Sequence, residues 1–75
     1  MRITYDRHAN AAYIYLTDRP LNSGRDTVIA ETPDGATGTA ILDWKDGWLV
    51  GIEILDASYA LHPELLDQAQ DITND

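Results

Sequence analysis

The chain has 75 residues, no cysteine and a formal charge of -8, from 13 acidic against 5 basic side chains. This is one small domain spanning 1–75, without disulfide staples, thiolate chemistry or cysteine-ligated zinc. It is also a poor nucleic-acid binder, because Arg2, Arg7, Arg19, Arg25 and Lys45 are scattered where a phosphate backbone needs clustered bases. No apolar run reaches the length of a membrane span, and no signal-peptide core follows Met1-Arg2. The expectation is a soluble cytoplasmic protein with no membrane partner.

Arg2 to Tyr5 alternates apolar and polar, which predicts a first strand. Asp6 to Asn10 breaks it, and the Asp6 carboxylate is placed to accept backbone N–H bonds two or three residues on. Ala11 to Thr17 is the second strand, with Ala12, Ile14 and Leu16 on one face and Tyr13 and Tyr15 on the other. Asp18 to Gly24 is a loop, and Arg25 to Thr32 a third, loosely alternating strand. Pro33-Asp34-Gly35 is a turn with Pro33 expected at its second position.

Ala40 to Leu55 reads as a hairpin. A three-residue loop, Lys45-Asp46-Gly47, places Trp44 opposite Trp48, Leu42 opposite Val50 and Ala40 opposite Ile52. It gives one oily face; a two-residue turn at Asp46-Gly47 slips the pairing by one and mixes the faces. Asp56 is the expected N-cap of a helical turn, and His62-Pro63-Glu64 a fresh helix start. Leu61, Leu65, Leu66, Ala69 and Ile72 form the apolar stripe of a helix that covers the oily face.

The predicted class is therefore α+β: an antiparallel β-meander of four to five strands with a C-terminal helix packed on one face. Residues 2–55 are strand-rich, 56–72 helical and 73–75 a frayed tail. The second sheet face carries Tyr13, Tyr15, Ile29, Ile41, Leu49 and Leu55, and one helix cannot cover both faces. Soluble monomers rarely keep so large an apolar patch open. The expected partner is a second copy, or a basic protein docking on the acidic C-terminal half in the manner of an antitoxin.

Ile3-Thr4-Tyr5-Asp6 with Ala9 and Ala11, Tyr13-Ile14, Asp43 and Gly47, and the block Leu49-Val50-Gly51-Ile52-Glu53-Ile54-Leu55-Asp56-Ala57-Ser58 resemble a small prokaryotic family, domain of unknown function 2283. The resemblance runs to about Leu61. It implies a small β-rich domain with a terminal helical segment, and it brings no activity. Arg7 and His8 depart from it, where proline and an acid are more usual, as does Asn10, where aspartate is common. If an acidic cluster at that turn has a role in relatives, the resemblance implies that this chain carries it in weakened form.

No cofactor is implied. Asp6, His8 and Asn10 are the nearest approach to a metal-ligand set, but calcium loops need more carboxylates and a closing bidentate acid. Asp43 and Glu53 share a semi-apolar face, where a carboxylate can gain a raised pKa and act as general acid or base in a small hydrolase or ligand-binding domain. The plainer role for each is an ion pair with an arginine, across the sheet or across a subunit interface. Ser58 lacks the Gly-x-Ser-x-Gly elbow, and Trp44 with Trp48 reads as core before it reads as a stacking platform.

Overall fold

A computed structural model describes residues 1–21 and 24–74; Asn22 and Ser23 of the expected loop and Asp75 of the tail lie outside the described residues. Six strands form one sheet in the order β3-β4-β5-β2-β1-β6, with β1 at Arg2–Asp6, β2 at Ala11–Tyr15, β3 at Asp26–Ile29, β4 at Thr39–Lys45, β5 at Trp48–Leu55 and β6 at Gln70–Asp71. Two short helices, α1 at Ala57–Ala60 and α2 at Pro63–Gln68, stand between β5 and β6. The α+β class holds, but the plain meander does not. β5 inserts beside β2, and β6 adds a sixth strand parallel to β1.

That last strand changes what the C-terminal segment does. A parallel strand requires a crossover, so the chain leaves β5, crosses β2 and β1, and lays Gln70–Asp71 on the far edge. The Ile72 N–H then bonds to the Tyr5 carbonyl at 3.0 Å. The helical turn and the fresh helix at Pro63 are both present, but the helix expected to run to residue 72 ends at Gln68 and gives way to a strand, because the open edge of β1 supplies ladder bonds that a short helix end cannot match.

The central hairpin corrects the expected loop. Asp46 and Gly47 have φ of 52° and 82°, the pair of positive values a two-residue turn demands, and Lys45 pairs with Trp48. Trp44 therefore pairs with Leu49, and the two tryptophans are not opposed. Between Asp43 and Trp44 the register shifts, leaving Val50 as the extra residue of a β-bulge. The turn moves the pairing by one and the bulge by one more. A slip of two preserves the faces: Leu42 now meets Ile52 and Ala40 meets Ile54.

Two cross-strand rows build the helix-side face. One runs Ala40, Ile54, Ala12, Tyr5, and the next runs Val28, Leu42, Ile52, Ile14, Ile3. The helical segment settles on the first row, where small side chains let it approach. Ala12, Ile54 and Ala57 are buried together, with Leu61 and Leu66 against them. Gly38, just before β4, serves the same approach, since a Cβ there would fall 2.3 Å from that of Ala60. The core is thin. Among the described residues, Ala57 at 0% exposure and Ala12 at 2% are its deepest members, and no large side chain is fully buried.

Local signals elsewhere mostly hold. His62 caps α2 by accepting the Glu64 N–H on Nδ1, with Pro63 in the first turn. The 33–36 turn closes by the Ala36 N–H to the Pro33 carbonyl, which puts Pro33 first rather than second and Gly35, at φ 86°, third. No helix among the described residues is long and apolar enough to cross a membrane.

Candidate functional site

The face away from the helices carries a polar cluster that spans four neighbouring strands, β3, β4, β5 and β2. Asp43 on β4 pairs with Gly51 on β5, which pairs in turn with Tyr15 on β2, and Tyr13 stands two residues along β2 from Tyr15, diagonal to Gly51. The Tyr13 ring crosses above Gly51, where a Cβ would stand 2.1 Å from the phenol oxygen. Only glycine leaves room for that crossing. The Tyr13 hydroxyl donates to Asp43 Oδ2 at 2.5 Å, and Thr27 Oγ1 on β3 donates to Oδ1 at 2.8 Å. Arg25 Nη1 stands 3.3 Å from the same Oδ2 and 3.4 Å from the Tyr13 oxygen.

Asp43 is 6% exposed, so its charge is held by three donors rather than by water. Burial, then the hydrogen bond to Asp43 and its charge, push the Tyr13 phenol up to about 12. Tyr15 packs its ring 4.7 Å from that of Tyr13, and the Arg2 guanidinium sits 3.9 Å over Tyr15. The row from Arg2 to Arg25 is a chain of satisfied contacts. Its geometry is that of a brace: donors on both Asp43 oxygens tie β4 to β2 and β3.

The remaining sequence candidates separate. Glu53 is half-buried between its partners Ile41 and Tyr13, 10 residues from Asp43 in the chain, and the two carboxylates are not drawn together. Asp6 accepts the N–H groups of His8 and Ala9 at 3.0 and 3.2 Å, the turn closure its position predicts, while His8 is exposed. Among the described residues no three His, Asp or Glu side chains gather as a metal site. Of the expected interface residues, Tyr13 and Tyr15 belong to the brace, Ile41 is half-buried, and Ile29 and Leu55 are exposed. Leu49 is half-buried and, past the bulge, pairs with Trp44. A cleft of about 460 Å³ opens at the hairpin tip beside Trp48, Lys45 and Arg19, and neither Asp43 nor Glu53 lines it.

A second cluster ties the β1–β2 turn to α1. Asp56 occupies the cap position at φ 53° but makes no side-chain cap bond, contrary to expectation. Asn10 makes it instead: its Oδ1 accepts the Ser58 N–H at 3.0 Å, its Nδ2 donates to Ser58 Oγ at 2.9 Å, and its carbonyl accepts the Ala57 N–H. The Tyr5 hydroxyl completes the set on Asn10 Oδ1 at 2.7 Å.

The family model described as Protein of unknown function (DUF2283) matches residues 2–58. The chain belongs to this family. The DUF2283 match takes in β1 to β5 and the start of α1, closing at Ser58, which Asn10 holds. The Tyr13–Gly51–Asp43 crossing and the Asn10 cap both fall inside it, whereas α2 and β6 lie beyond it. No curated protein and no solved structure matches the chain.

Sequence reasoning named Asp43, Tyr13 and Asn10 but missed what joins them. Arg25 and Thr27 gave no motif, since their role depends on β3 lying beside β4. Gly51 did carry a readable cue: an isolated glycine within a strand marks a close approach.

Proposed function

We propose that this DUF2283 protein is a non-enzymatic protein-interaction module that works as a self-associated pair. One observation carries the reading. The chain exposes 5459 Å², whereas the surface expected for 8.3 kDa is about 4,600 Å². The excess of about 900 Å² is close to the roughly 800 Å² that each partner buries in a specific interface. The flat shape, 32 × 32 × 18 Å, and the thin core explain where that surface comes from. A sheet face with an incomplete helical layer is stabilised when another molecule finishes the layer.

The hydrolase reading draws less support, because Asp43 is engaged by Tyr13, Thr27 and Arg25 and neither Asp43 nor Glu53 lines the cleft at the hairpin tip. Docking of a basic protein draws support from one feature, the exposed Asp56, Glu64 and Asp67 on the helical segment with no Lys or Arg after Lys45. That surface is separate from the apolar one, and binding there would weaken steeply with salt.

Sedimentation equilibrium at micromolar concentration tests the self-associated form. The reading expects a mass twice that of the chain, little changed by salt. A monomer mass at high micromolar concentration would overturn it.

A further inference from the structure

Resting on that self-association, we infer that the second copy docks on the helix-side face, over the part the helices leave open. The crossover explains why a part stays open. From α1, which lies against Gly38 and Ala40 at the start of β4, it travels across β2 and β1, away from the rest of β4 and from β3. The row Val28, Leu42, Ile52, Ile14 therefore runs past the helical layer toward the β3 edge. Val28 is 51% exposed, and Trp44, the next residue of β4 on that side, 36%. Leu42, Ile52 and Ile14 are only half-buried, although they stand at the middle of the sheet.

Three observations select a second copy as the occupant. The row itself holds no charged residue, and the carboxylate beside it is Asp26, the exposed partner of Trp44 at the β3 edge, whereas contact through the helical segment would face Asp56, Glu64 and Asp67 with their own copies. A basic partner, conversely, finds nothing in the row to pair with. The excess surface is also the size of one protomer's share in a two-fold contact, in which the same patch meets itself.

Adjacent residues of β3 supply the test. Val28 and Ile29 are both exposed and point to opposite faces of the same strand, so aspartate at either carries a similar local cost. By sedimentation, Val28→Asp should weaken the pair by about 100-fold or more, since it buries an unpaired carboxylate. Ile29→Asp should leave the dissociation constant within about threefold. Where Val28→Asp fails to retain the sheet's circular dichroism, Trp44→Gln replaces it and should also dissociate the pair. A pair broken by Ile29→Asp alone puts the contact on the opposite face and overturns the inference while sparing self-association. Loss with both aspartates, with Trp44→Gln still paired, means edge-to-edge β3 contact and overturns it as well. A monomeric parent chain defeats the underlying reading itself.

Discussion

The Tyr13 hydroxyl reaches Asp43 at 2.5 Å over the backbone of Gly51, joining β2 to β4 across the strand between them. The hydrogen bond depends on an absent side chain as much as on the two present. It fixes the register of three strands on a face that no helix supports.

Gly51→Ala should therefore displace the Tyr13 ring and destabilise the fold by about 1–3 kcal/mol, read from urea unfolding. In a Tyr13→Ala background the same change should cost little, because the obstructing ring is gone. Tyr13→Phe keeps the ring and loses the bond, at about 1–2 kcal/mol. Equal cost of Gly51→Ala in both backgrounds would show that the crossing is not what requires glycine.

Alkaline titration reports on the same contact. The Tyr13 phenol is pushed from 10.0 up to about 12, first by burial and then by Asp43. A folded-state value above the unfolded one means that the stabilisation is complete below pH 10. It is lost as pH rises from there through about 12, where the unfolded chain releases its proton first. The tyrosinate absorbance should show a late component near pH 12 that Tyr13→Phe removes.

Much of this architecture is legible in the sequence, and the misses share a cause. Face membership from Thr39 to Asp43 and from Gly51 to Leu55 survives an incorrect loop because the turn and the bulge each move the register by one and alternation has period two, while Trp48 and Leu49, between the two steps, exchange faces. The turn has a local mark in Asp46-Gly47, but the bulge leaves none in Asp43-Trp44 or Val50. The Asp6 turn and the His62-Pro63 helix start are local and readable. Asn10 as the cap of α1, Arg25 and Thr27 on Asp43, and β6 on β1 are long-range partnerships, set by strand order rather than by neighbouring residues.

Asn10 gives a graded test of one such partnership. It holds φ 51° and caps α1 from 48 residues away. Asn10→Ala should cost about 2–3 kcal/mol, adding a lost cap to left-handed strain. Asn10→Gly removes the cap without the strain and should cost about half as much. Asn10→Asp retains the acceptor for Tyr5 and Ser58 and should lie closest to the parent in thermal unfolding. An alanine variant no worse than glycine would remove strain from the account.

The far edge should respond to acid. The Thr73 hydroxyl and N–H, with a smaller contribution from Arg7, hold the Asp71 carboxyl below its usual 3.8. A depressed folded-state value means that this tie is complete above the ordinary carboxylate range and fails as pH falls through the lowered one. The Ile72 amide, bonded to Tyr5, should then lose protection from hydrogen exchange before the amides of β2 and β5. Simultaneous loss would mean that β6 does not open by itself.

Contact between copies can be observed without any substitution. In an equimolar mixture of isotope-labelled and unlabelled chain, an isotope-filtered NOE spectrum records only protons on different molecules. The account predicts intermolecular cross-peaks at the methyl groups of Val28 and Leu42 and at the Trp44 ring. A spectrum with none, from a sample tumbling at the rate of a single 8.3 kDa chain, would contradict it.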